Sequence, residues 1–246
     1  MTALNRLPLD RRQILWLLAA LLMSTSSPPS ALAADAGVLM FGGTGRLGSE
    51  VVHALVADGQ SVTVFTRPTS DRHRLDGLAV NYLSGDVLVE EDVAAALRST
   101  RFRVVVDALA RSESDVSFYE VSARHIAKWA KETGVQQIIL HGSVGAGESR
   151  AVYPEQSWGR MAELLTAKDA GERHLIDSGV TYTIIRNFII VAHGTSPTGN
   201  ARLVADQTVT GNITRKDLAK FTVYCVDNDA CANMIFHAID ETLPGR

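Results

Sequence analysis

The chain has 246 residues, 46% hydrophobic and 21% charged, which is enough apolar material for one well-filled core. Its formal charge of −3 lacks the basic excess that nucleic-acid binding demands, so DNA and RNA are set aside as partners. No internal repeat, low-complexity tract or run of like charges is present, which excludes a solenoid and a charged interaction arm.

Residues 1 to 33 run from Arg6, Arg11 and Arg12 through the apolar stretch ILWLLAALLM and the breakers STSSPPS to ALA at 31 to 33. Basic, apolar and small-residue segments in that order describe a secretory signal peptide with an A-x-A cleavage site, so the mature chain is expected to begin near Ala34. Ten apolar residues rise only about 15 Å as a helix, half of a bilayer core, and no permanent membrane span is expected. Arg11 and Arg12, directly before the apolar run, resemble the twin-arginine signal by which bacteria export proteins already folded. An ordinary Sec leader with two adjacent arginines is the alternative. Either route predicts an exported, periplasmic protein. Loss of the leader removes three arginines and one aspartate, leaving a formal charge of −5.

After the leader, apolar runs short enough to be buried parallel strands occur at 37 to 41, 61 to 65 (SVTVF), 79 to 83 (AVNYL), 104 to 109 (VVVDAL), 137 to 142 (QIILHG) and 181 to 186 (TYTIIR). Helical patterns fall between them at 46 to 58, 90 to 98, 115 to 133 and 157 to 178; in the first, Leu47, Val51 and Leu55 stack on one face at a spacing of four. Such alternation implies right-handed βαβ crossovers, and hence an α/β doubly wound parallel sheet, the Rossmann fold, as a single domain over residues 34 to 246. The C-terminal part of that domain is expected to supply the substrate side.

At the first strand-to-helix turn stands Gly42-Gly43-Thr44-Gly45-Arg46-Leu47-Gly48. There the pyrophosphate of a dinucleotide rests on helix N-terminal amides. Gly42 and Gly43 permit backbone angles that other residues resist, Gly45 lets the chain approach the phosphates, and Gly48 lets the helix lie close on the strand. A turn serving only chain reversal is the plainer reading. Arg67 follows the second strand, where an NAD-preferring protein carries an acidic group for the ribose 2′-OH; an arginine there pairs instead with a 2′-phosphate, so NADP(H) is favoured over NAD(H). Arg46 can lie over the adenine or reach the same phosphate, and both arginines have the alternative of being solvated surface residues.

Five blocks in order, GGTGRLG, VTVFTRP, GDV at 85 to 87, KDAGERHLIDSGVTYTIIRN and GNITRKDLAKF, resemble the atypical short-chain dehydrogenase/reductase proteins with an NAD(P)H-binding, NmrA-like domain. The resemblance covers the mature chain. It implies that Asp86 and Val87 border the adenine and that Ala108 and Leu109 border the ribose, although Asp86 could simply cap the following turn. Relatives in the wider superfamily use a Tyr-x-x-x-Lys pair with a serine after the fifth strand. Ser143 stands at the serine's place and Lys168 at the lysine's, but four residues before Lys168 is Leu164, so the tyrosine is missing. Tyr153 could enter the cleft from a loop as proton donor, or be a packed aromatic; Lys168 could hold a ribose hydroxyl, or pair with Glu172 on an exposed helix face; Ser143 could orient substrate, or cap its loop. The family's Arg-Pro-Gly after the sixth strand reads Arg186-Asn187-Phe188 here, a bulkier nicotinamide side.

His141 and His193 could each approach the cleft or be hydrogen-bonded structural residues. Cys225 and Cys231 could bridge across VDNDA in an oxidising compartment, or fill the core as thiols. The resemblance leaves two functional classes: an exported oxidoreductase moving hydride between NADP(H) and a small acceptor, and a non-catalytic NAD(P)-binding redox sensor. An epimerase or dehydratase ranks last, because it relies on the same tyrosine. The loops that would choose a substrate, near 110 to 116, 145 to 157 and 192 to 212, carry no recognisable pattern.

Overall fold

The computed structural model describes residues 37–110 and 115–243; the leader with its paired arginines lies outside them. The strands are β1 (Gly37–Phe41), β2 (Val62–Thr66), β3 (Asn81–Ser84), β4 (Phe102–Asp107), β5 (Gln137–Ser143), β6 (Thr181–Asn187), β7 (Ile189–Ile190), β8 (Arg202–Val204), β9 (Asn212–Ile213) and β10 (Met234–Ile239). The helices are α1 (Arg46–Ala57), α2 (Glu90–Arg98), α3 (Ser117–Glu132), α4 (Glu155–Ser178) and α5 (Arg215–Cys225). Eight strands form one sheet in the order β3-β2-β1-β4-β5-β6-β10-β8, parallel except for the edge strand β8, which runs antiparallel to β10; β7 and β9 pair apart from it.

Side chains alternate across the sheet and so build two cores. Val38 and Met40 of β1 face α1 and α5, packing with Val51, Leu55 and Leu218. Leu39 and Phe41 face α2, α3 and α4, packing with Leu97, Ile126 and Leu175. All five residues of β1 are buried, which is why it reads as a continuous apolar run rather than an alternating one. The helices obey local rules as well. Glu90, Glu91 and Asp92 open α2 and Arg98 closes it, each charge complementing the helix dipole; α4 ends on Gly179 at φ 79, a left-handed cap that needs no Cβ.

The six strands and four helices expected from alternation are all present, with ends shifted by a residue or two. The chain from residue 189 adds what alternation did not reveal: the short strands β7, β8 and β9, α5 and the seventh parallel strand β10. The opening of α5 is nonetheless marked, since Thr214 Oγ1 accepts from the amide of Asp217 at 3.0 Å, the T-x-x-D capping pattern. No helix among the described residues is long and apolar enough to cross a membrane.

Two buried polar links brace the sheet. Glu172 on α4 and Arg186 on β6, 1% and 3% exposed, form an ion pair at 2.6 Å, with Arg186 Nε also donating to both carboxylate oxygens at 3.2 and 3.3 Å. The carboxylate lies over β5 where Gly142 offers no side chain; a Cβ there would come within 2.5 Å of Glu172 Oε1. At the other end of the sheet, Cys225 and Cys231 are joined as a disulfide with Cα atoms 5.4 Å apart, both fully buried. Gln137 Nε2 donates to Cys225 O at 2.8 Å and Thr183 Oγ1 to Cys231 O at 2.8 Å, so the bridged loop is fastened to β5 and β6.

Breaking the buried pair from one side leaves a guanidinium without its counter-charge. Glu172→Ala is expected to lower unfolding free energy by about 3–5 kcal/mol, read as a fall in the urea midpoint.

Candidate functional site

β1 delivers the chain to Gly42 at φ +78, a backbone state costly for any residue with a Cβ. From there the chain turns tightly, Gly45 N donating to Gly42 O at 3.0 Å, and enters α1. The crossing is close. An added Cβ at Gly48 would sit 2.1 Å from Gly42 O, and one at Gly42 would sit 2.6 Å from Ala108 O. Gly45 is the N-cap of α1, supplies no capping side chain, and no acidic residue occupies the first turn. The first-turn amides, which lack helical partners by geometry, therefore have neither a capping side chain nor a first-turn carboxylate of this helix against them. These features fit a diphosphate, the group that bare amides at the start of a long helix hold best.

The loop forms the floor of a cavity of about 630 Å³ across the carboxyl ends of the strands. It lies where the order reverses between β1 and β4, the switch point at which doubly wound sheets bind ligands. Of the residues read as cofactor-binding from sequence, Gly42, Thr44, Gly45, Arg46, Leu47, Arg67, Asp86, Val87, Ala108, Leu109 and Lys168 all line it; Gly43 and Gly48 are buried behind the loop. Arg67 is exposed at the end of β2, with no ion-pair partner among the described residues. Asp86 combines both readings, lining the cavity while its Oδ1 accepts from Leu88 N at 2.9 Å.

At the opposite end of the cavity Lys168 Nζ donates to Ser143 Oγ at 2.7 Å and lies 4.8 Å from the ring centre of Tyr119. The pairing of Lys168 with Glu172 that helix spacing suggests is not made, because Glu172 is taken by Arg186. Burial lowers the Lys168 ammonium pKa, against the pull of the Glu172 and Asp107 charges. Asp107, the last residue of β4, was not foreseen. It is buried, which raises its carboxyl pKa to about 6, although Leu109 N donates to it at 2.9 Å and the Lys168 charge opposes the rise. Tyr153 packs edge-on against Trp158 and Phe188, ring centres 6.0 and 5.7 Å apart, and is not among the cavity-lining residues. Phe188 is thus turned toward this aromatic cluster, while Asn187 lines the cavity and donates through Nδ2 to Gly142 O at 3.0 Å.

His141 lines the cavity from β5; His193 is exposed on a loop and does not line it. His141 Nε2 lies 2.9 Å from Thr222 Oγ1, and the Thr222 hydroxyl donates in turn to Leu218 O at 2.9 Å. With its one proton so used, the hydroxyl accepts from Nε2–H, which assigns the tautomer and leaves Nδ1 bare and without a protein partner. Burial lowers the ring's pKa to about 4. Arg215, the first residue of α5, also lines the cavity and was not foreseen as a site residue, although it lies within the TRKDL segment.

The profile of the NAD(P)H-binding family matches residues 42–229. Sterol demethylase protein B of Methylococcus capsulatus is 33% identical over 115 residues, covering 44% of this chain and 34% of that protein. Photosystem II assembly factor Ycf39 of Synechocystis is 22% identical over 213 residues, covering 82% of this chain and 62% of that protein. The chain thus spans less than two thirds of the length of either relative. Among solved structures, the anaerobillin reductase ChuY of Escherichia coli O157:H7 superposes with a TM-score of 0.74 at 21% identity, covering 85% of this chain and 99% of that one, a likeness of fold.

His141, which lines the cavity, and Asp107, buried at the end of β4, predict opposing effects of pH. His141 falls from the ordinary 6.5 to about 4, so its contribution to stability is complete above 6.5 and is lost as pH falls through 4, by about 3 kcal/mol. Asp107 rises from 3.8 to about 6, so its contribution is complete below 3.8 and is lost as pH rises through 6. In urea titrations between pH 6.5 and 4, His141→Leu is expected to gain stability relative to wild type as pH falls, and Asp107→Asn to lose it.

Proposed function

Because the chain belongs to the NAD(P)H-binding family, we propose that it is an exported oxidoreductase that prefers NADP(H) and passes hydride to a small acceptor taking its proton from solvent. The observation that carries this reading is the glycine loop: a helix start with glycine as its N-cap and no capping side chain, at the switch point of the sheet. Bound NADPH would supply the hydride. The chain's own residues position it. The α1 amides hold the diphosphate, Arg67 meets the 2′-phosphate, Asp86 and Val87 border the adenine, and Ala108 and Leu109 border the ribose.

Lys168 places positive charge at the far end of the cavity and fixes Ser143 Oγ, which leaves the serine proton free to orient an acceptor. With Leu164 in the tyrosine's place and Tyr153 held by its aromatic neighbours, neither of these two positions offers a phenol as the acid. An acceptor that takes hydride at carbon or nitrogen and a proton from water, as flavins and quinones do, needs none. The same lack favours a second reading, in which the protein holds the dinucleotide as a redox sensor without turnover. Export is supported by the leader and by the buried disulfide, a bond typical of oxidising compartments.

Purified protein is expected to bind NADPH at least tenfold more tightly than NADH, about 1.4 kcal/mol, and Arg67→Glu to reverse that order. NADPH absorbance should decay with a flavin or quinone; silence with every acceptor, binding intact, selects the sensor. For the leader, Arg11→Lys with Arg12→Lys should abolish export, whereas unaffected export would indicate the Sec route.

A further inference from the structure

We infer that Arg215 is a second cationic hold on the diphosphate of the bound dinucleotide, facing Arg46 across the mouth of the glycine loop. This rests on the reading of the cavity as a dinucleotide site.

Arg46 is the first residue of α1 and Arg215 the first residue of α5, and both line the cavity. The two helices lie side by side on one face of the sheet, where Leu47, Val51, Leu218 and Ala219 share a core. Their starting ends therefore open on the same rim. Neither arginine forms an ion pair among the described residues. Arg215 is held rather than adrift, since its Nη1 donates to Val191 O at 2.8 Å, which leaves the other edge of the guanidinium unspent.

Burial, and next the positive charge of Arg46, lower the Arg215 pKa; Glu50 pulls the other way without reaching ion-pair distance. Two guanidinium groups that repel each other, neither ion-paired among the described residues, raise the free energy of the empty protein, and an oxyanion relieves it. The helix end at Arg215 is a poorer seat for that anion, because the Asp217 amide is already taken by Thr214 Oγ1 and the Asp217 carboxylate puts negative charge in the first turn of α5. The side chain is the better hold. The anion within reach of both arginines is the diphosphate seated on the amides that follow Gly45, where Arg46 begins its helix. Two positive charges then match the two negative charges of the diphosphate, and the hold on Val191 links the cofactor seat to the segment after β7.

Three probes separate this role from that of Arg67. ADP-ribose carries the diphosphate without a 2′-phosphate or nicotinamide, 2′-AMP carries the 2′-phosphate alone, and NADPH carries both. By calorimetry on the chain with its disulfide formed, Arg215→Met is expected to bind ADP-ribose and NADPH roughly tenfold more weakly and 2′-AMP as wild type does, with Arg215→Lys in between. Arg67→Glu should show the converse, losing 2′-AMP and keeping ADP-ribose. Unchanged ADP-ribose affinity in Arg215→Met overturns the inference and assigns the arginine to another anion, such as a carboxylate on the acceptor. Equal loss of ADP-ribose and 2′-AMP also overturns it, as a general disturbance of the site. Wild-type protein that binds none of the three ends the dinucleotide reading itself.

Discussion

The architecture depends on a contact that tolerates no side chain. Where α1 crosses the end of β1, a single Cβ on Gly48 would stand 2.1 Å from the carbonyl oxygen of Gly42, far inside non-bonded contact distance. That approach lets the helix begin directly over the strand, and from it follow the depth of the cavity floor, the outward aim of the first-turn amides, and the seating of Val51, Val52 and Leu55 in the sheet. A larger residue would lift the helix and displace core and site together.

The second organising feature is β5, which carries polar wiring on both of its faces. On one, Glu172 reaches over Gly142 to Arg186 and joins α4 to β6. On the other, His141 reaches Thr222 and joins the strand to α5. Asn187 returns to the Gly142 carbonyl, and Lys168 closes on Ser143 at the strand's end. The cavity's far end is thus defined by directional bonds as well as by shape.

Local backbone demands were legible in the sequence; partner choice over distance was not. GGTGRLG announces its turn because glycine is required wherever φ is positive or a Cβ has no room, and both hold at Gly42. The fully buried β1 announced itself as an unbroken apolar run. By contrast, helix spacing pairs Lys168 with Glu172, and that inference fails because it assumes a solvated face: at 1% exposure the carboxylate needs both oxygens satisfied, which a forked guanidinium does better than an ammonium. Asp107 was hidden within an apolar strand, and Arg215 within a segment read only for its likeness to others. β10, with its central histidine bonded through Nδ1 to Val209 O, breaks the apolar run that would have marked it.

The disulfide and the glycine loop lie at opposite ends of the parallel strands. The bridged loop is fastened to Gln137 at the start of β5, whereas the glycines follow the end of β1, and parallel strands put starts and ends on different sides. Closing the turn and locking the loop are therefore separable in time: the glycine turn can form with both thiols still free, and the covalent latch can follow.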